Sequence, residues 1–110
     1  MSPAPRLTDF ELMLLLAALR VDDAYGVAIA REVERTTGRR VLMGAAYTAL
    51  DRMEQRGLVS STLGDPTPER GGRAKRYFRV TLQGLDAVKQ TRRALETLWT
   101  GVPQLEEKRT

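Results

Sequence analysis

Gly64–Thr81 reads GDPTPERGGRAKRYFRVT: a Pro/Gly loop that runs into a segment studded with cations. The weakly alternating stretch before it, Leu58–Leu63, predicts a first strand, and Lys75–Thr81 predicts the returning one. Alternation places Arg76, Phe78 and Val80 on one side of the second strand and Lys75, Tyr77 and Arg79 on the other, so Phe78 and Val80 are expected in the core. From Glu69 to Arg79 five basic residues (Arg70, Arg73, Lys75, Arg76 and Arg79) face one acid. A hairpin with a flexible cationic tip, followed by aromatics, suits the outside of a polyphosphate helix. It is a candidate DNA-binding wing, with a solvated cationic loop as the bland alternative.

Upstream of the hairpin three helices are expected. Thr8-Asp9-Phe10-Glu11 matches a capping box and opens a helix to about Arg20, densely apolar through Leu12, Leu15, Leu16 and Leu19. Asp22 and Asp23 offer an N-cap for a second helix, whose apolar side carries Tyr25, Ile29 and Val33 and which Gly38 is expected to end in a left-handed conformation. The third helix runs from about Met43 to Arg56 and is stopped by Gly57. At 100° per residue, Ala46, Ala49, Leu50 and Met53 share one of its faces, Gly44, Ala45, Thr48 and Arg52 lie opposite, and Tyr47 falls between. After the hairpin, Thr81 is positioned to cap a last helix reaching about Gly101.

The expected class is mainly α with a small β-hairpin (α+β): a winged helix-turn-helix with an added C-terminal helix, the third helix standing in the recognition position. The division expected is a flexible arm at 1–7, the winged domain at 8–81, a dimerisation helix at 82–102 and a polar tail at 103–110. With 110 residues there is room for one small core, and 42% apolar residues are enough to fill it. The net charge of +4 favours an anionic partner. There is no histidine or cysteine, which excludes the common zinc sites, disulfides and any Ser/His or Cys/His nucleophile pair. Gly71-Gly72 lacks the Lys-Ser/Thr ending of a phosphate-binding loop, and the carboxylates do not converge. The chain is expected not to be an enzyme and to need no metal or cofactor. Its longest apolar run, Leu12–Leu19, is too short to span a membrane, and a soluble, cytoplasmic protein is expected.

Three segments together resemble the PadR-like transcriptional regulators, in the short form with a single C-terminal helix. They are Ala24-Tyr25-Gly26-Val27 in the second helix, Met43 to Val59 (MGAAYTALDRMEQRGLV) through the recognition helix, and Gly71 to Thr81 (GGRAKRYFRVT) in the wing, with Gly84 where the family places a glycine. The resemblance covers about residues 7 to 100. Two positions depart from it: Leu42 stands where the family usually has a small hydroxyl residue, and Ala46 where a larger aliphatic is common. The resemblance implies a repressor that binds palindromic promoter DNA as a homodimer and responds to a small aromatic or cationic amphipathic effector.

The DNA-contacting candidates are Gly44, Ala45, Tyr47, Thr48 and Arg52 on the recognition helix, Arg39 and Arg40 just before it, and Arg70, Arg73, Lys75 and Arg76 in the wing. Small residues let the helix approach base edges. Thr48 suits a thymine methyl or a phosphate, and Arg52 suits guanine or the backbone. Alternation groups Arg76 with the inward Phe78, which sets it apart from the other wing cations. On the last helix Leu85, Val88, Leu95, Trp99 and Val102 form a heptad-like seam interrupted by Arg92, suited to pairing with its copy or to packing on its own domain. Trp99 reads either as a packing anchor or as the aromatic wall of an effector pocket between subunits. Two other functions compete: RNA binding through the Arg-Gly-Gly-Arg loop, and a winged helix used only for protein interaction.

Overall fold

Thr8 accepts a hydrogen bond from the Glu11 amide at 3.1 Å, and Glu11 Oε1 accepts from the Thr8 amide at 2.8 Å, so the expected capping box opens helix α1 (Asp9–Arg20). The computed structural model describes residues 6–64 and 75–106. Helix α2 (Gly26–Thr37) follows and ends at Gly38, whose φ of 72° is the left-handed conformation expected there. Helix α3 spans Met43–Gln55. Strands β1 (Val59–Leu63) and β2 (Arg76–Val80) pair antiparallel, from Val59↔Val80 at the base to Leu63↔Arg76 at the far end. Helix α4 (Leu82–Trp99) and a single 3₁₀ turn (Pro103–Leu105) complete the chain. This is the α+β winged arrangement read from the sequence.

The start of α2 differs from expectation. Neither Asp22 nor Asp23 caps it; Tyr25 occupies the N-cap without a side-chain bond. The cause is tertiary. Phe78 donates its amide to the Ala24 carbonyl at 2.8 Å, and Tyr25 forms an isolated antiparallel bridge with Tyr77. The residues before α2 therefore act as a third, very short strand along β2, and the helix begins only where that pairing ends. The expected arm is likewise anchored at its inner end: Leu7 packs on the core, and Arg56 donates to the Arg6 carbonyl.

The core gathers Leu14 and Leu15 from α1, Ile29 and Val33 from α2, Ala46, Leu50 and Met53 from α3, and Leu58, Val59 and Phe78 from the hairpin. Each fully buried Leu, Ile or Met contributes about 1.5–3 kcal/mol. Buried Glu11 is satisfied at both oxygens, Oε2 accepting from Arg56 at 3.0 Å. The base of α4 is clamped to the hairpin. Thr81 Oγ1 accepts from the Gly84 amide at 3.0 Å and donates to the Gly57 carbonyl at 2.6 Å. Gly84 lies so close that a Cβ there would sit 2.1 Å from the Leu58 oxygen.

Candidate nucleic-acid interface

Burial of Ala46, Leu50 and Met53 rotates the opposite side of α3 outward. Gly44, Ala45, Thr48 and Arg52 are all exposed, on one continuous face. A Cβ built on Gly44 would meet nothing within 4 Å, so the fold makes no use of its small size. That leaves the helix backbone open to approach from outside. A shallow depression of about 380 Å³ runs along this face, between Phe10 of α1 and Arg52 of α3. Leu42 occupies the N-cap of α3 and makes no side-chain cap bond. The segment leading into it is held instead from α2, where Glu34 Oε2 accepts from the Val41 amide at 2.8 Å.

Tyr47 is drawn partly out of this face. It is half-buried, and a Cβ on Gly26 would lie 2.5 Å from its ring and hydroxyl, so the ring fills the space between α2 and α3. Arg39 is exposed but tethered: its Nη1 lies 3.1 Å from Asp9 Oδ2, and its guanidinium sits 5.6 Å from the Phe10 ring centre. Arg40 and Arg52 are exposed and enter no ion pair among the described residues.

The wing divides at its far end. Lys75 rests its ammonium 4.4 Å from the ring centre of Tyr25, which meets Tyr77 edge-on at 6.0 Å. Across the strand Arg76 is half-buried and bonded to the protein. Its Nη1 donates to Asp51 Oδ1 at 2.6 Å, Nη2 to Glu54 Oε1, and Nε to Ser61 Oγ at 3.1 Å, while its plane lies 4.8 Å from the Phe78 ring centre. The Ser61 hydroxyl donates to Glu54 Oε2 at 2.7 Å. That bond first, and the Arg76 guanidinium after it, hold the Glu54 carboxyl below the usual carboxylate range. Sequence reasoning missed Asp51 and Glu54 as partners. The available signals were their spacing of three on α3 and the placement of Arg76 on the inward side of its strand. Arg70 and Arg73 lie outside the described residues.

The α4 seam is partly covered. Leu85, Val88 and Val102 are half-buried, and Arg92 pairs with Glu96 of its own helix. Leu95 and Trp99 are 50% and 61% exposed. With Leu12, Leu16 and Val88 they line an apolar groove of about 210 Å³ between α1 and α4. Among the described residues no helix is long and apolar enough to cross a membrane.

Comparison with curated proteins returns no match. The solved structures similar to this chain include RosR of H. salinarum (26% identity, TM-score 0.68, covering 90% of this chain and 83% of that one). A PadR family transcriptional regulator from Eggerthella lenta matches at 24% identity and TM-score 0.67, over 91% of this chain and 85% of its own. A PadR-like transcription factor from Bacteroides fragilis shares the fold at 21% identity and TM-score 0.72, over 88% and 89%. The family model described as the transcriptional regulator PadR-like family matches residues 15–90, well over half of the chain. With three helices, a hairpin and an outward α3 already in the geometry, that match makes this chain a member of the PadR-like family of DNA-binding transcriptional regulators, which are not enzymes.

Proposed function

We propose that this regulator is a cytoplasmic repressor that binds a palindromic promoter site as a homodimer and is released by a small-molecule effector. The observation that carries the reading is the outward face of α3, where Gly44 and Ala45 lead into Thr48 and Arg52. A helix fronted by small residues enters a major groove closely, and the hydroxyl and guanidinium behind them then reach base edges. Arg39, Arg40, Lys75 and the wing-tip Arg70 and Arg73 supply phosphate contacts around that helix, and Tyr47 braces it from behind.

Residues 82–102 act as the dimerisation segment. The groove lined by Leu16, Leu95 and Trp99 is apolar and open, a surface that a second copy would cover. Trp99 contributes an aromatic wall to an effector pocket formed between the copies, suited to a planar or cationic ligand.

The test is selection of duplex fragments from a random pool, followed by titration of the selected duplex against salt. Affinity is expected to fall with a log-log slope of about −0.9 per phosphate contact. Lys75→Ala should shallow that slope, whereas Thr48→Ala or Arg52→Ala should change the selected sequence. Equal affinity for selected and scrambled duplexes would remove the specificity claim. Preferential binding of single-stranded RNA would favour RNA recognition, and a stable dimer without duplex affinity would leave a protein-interaction module.

A further inference from the structure

Arg76 stands at the far end of the β-ladder, opposite Leu63. Val59 at the base of the hairpin and Phe78 at its middle lie in the core, and Tyr77 bridges Tyr25. The side-chain hydrogen bonds from the hairpin to α3 run from Ser61 at mid-ladder and Arg76 at the far end to Glu54 and Asp51, one turn apart. All three guanidinium nitrogens donate to protein oxygens, and Phe78 covers one face. Three of its five N–H donors are thus taken, and its charge is already met by two carboxylates.

We infer that Arg76 is a positioning residue rather than a phosphate ligand: it braces the far end of the β-ladder against Asp51 and Glu54 of α3, fixing the distance between the recognition helix and that end of the ladder. The same contact offsets the charge of exposed Asp51. The inference rests on the DNA-binding reading above and narrows it to a spacing set inside the protein. A ladder held at fixed pitch presents Lys75, at its outer end, in register with the groove that α3 occupies. A loose wing loses affinity through ordering entropy at every encounter.

The experiment is a mutant cycle on duplex DNA selected by the wild-type chain. Arg76→Gln is expected to weaken binding about tenfold, the scale of coupling within such a network. Its salt slope should stay within about half of the 0.9 that one lost phosphate contact removes. Asp51→Asn with Glu54→Gln is expected to weaken binding too, and Arg76→Gln should then cost nothing further. The exchanged pair Arg76→Glu with Glu54→Arg should recover most of the affinity. If Arg76 grips phosphate, the outcome reverses: neutralising the two acids tightens binding, the slope drops by a full contact, and the exchanged pair binds worst. Any one of these three results overturns the inference. A readout without DNA separates the two claims. The Gly64 amide, which donates to the Lys75 carbonyl at 2.7 Å, should exchange its hydrogen several-fold faster in Arg76→Gln. Unchanged exchange removes the brace whatever the DNA result, and failure of the wild type to bind duplex removes the DNA reading while leaving the exchange test standing.

Discussion

The three N-terminal helices with the hairpin, and the outer half of α4, use apolar residues in opposite ways. In the first region Leu14, Leu15, Ile29, Leu50, Met53, Leu58 and Val59 are fully buried. In α4 burial stops near Ala87, and beyond Val88 the helix projects with Leu95, Leu98 and Trp99 exposed. The same kind of side chain therefore builds a core in the first region, which still exposes Leu16, Leu19, Leu42 and Leu63, and stays uncovered along the outer part of α4. Isolated helices of this length are marginal in water, and an uncovered apolar stripe marks a contact surface. The winged body has a core of its own, whereas the outer part of α4 buries little apolar surface among the described residues.

The sharpest break between the two regions should come from paired truncations. Met53→Ala removes a fully buried side chain at the junction of α3 with the core and is expected to cost about 2–5 kcal/mol in urea unfolding. Leu98→Ala, at the same concentration in a dilute, monomeric sample, should stay within about 0.5 kcal/mol. Equal costs would mean that outer α4 is as integrated as the body and would end the contrast.

Next in size is the effect of charging the open stripe. Trp99→Glu is expected to weaken self-association by about 2 kcal/mol or more if this Trp is a central anchor of the pairing surface. Sedimentation across a concentration series reads this directly, and the far-UV helix signal of the body should be retained. Self-association unchanged by the charge would move the dimer contact off the seam.

Gly84→Ala tests the joint between the regions. Alanine is the better helix former, yet its Cβ would be driven to 2.1 Å from the Leu58 carbonyl oxygen, a backbone atom that cannot swing aside. Overpacking of this kind is expected to cost about 1–3 kcal/mol. A stabilised variant would show that α4 sits on the hairpin more loosely than its Thr81 clamp implies.

What was legible in the sequence follows the same division between local and tertiary causes. Thr8 with Glu11 and the left-handed Gly38 act through neighbours a few residues away, and both signals placed their helix ends correctly. The exposed and buried sides of α3 followed from helical period alone, because one contiguous core selects one face. Asp22 and Asp23 looked like caps, but pairing of Ala24 and Tyr25 with β2 reaches across more than fifty residues, and no local pattern announces it. Tyr47 and Arg76 stand among the DNA-contact candidates by residue type, although helical period sets Tyr47 between the two faces of α3 and alternation sets Arg76 with the inward Phe78. Which group reaches either side chain first is decided by the packing of α2 on α3, and of the hairpin on Asp51 and Glu54.

The smallest effect expected concerns the rim of the core-forming region, where charge rather than apolar area links α1 to α2. Glu32 accepts from Arg35 at 2.7 and 2.9 Å, from Arg20 at 2.6 Å and from Thr36 at 3.2 Å. Arg35 first, and then Arg20, pull its carboxyl from 4.5 down to about 2. The sign follows from proton counts. Above 4.5 both folded and unfolded chains hold Glu32 ionised, and its full contribution is present. Between 4.5 and about 2 the unfolded chain takes up a proton that the folded chain refuses, so stability falls with pH across that window. Glu54 is shifted in the same direction and adds to the slope. Glu32→Gln should therefore lower stability slightly at neutral pH, since both arginines are well exposed and such pairs are weak. It should also flatten, without abolishing, the acid limb of a urea-midpoint profile. A limb of unchanged steepness would mean that Glu32 adds no proton-linked stability where α1 meets α2, leaving that contact to buried side chains such as Leu14, Leu15, Ile29 and Val33.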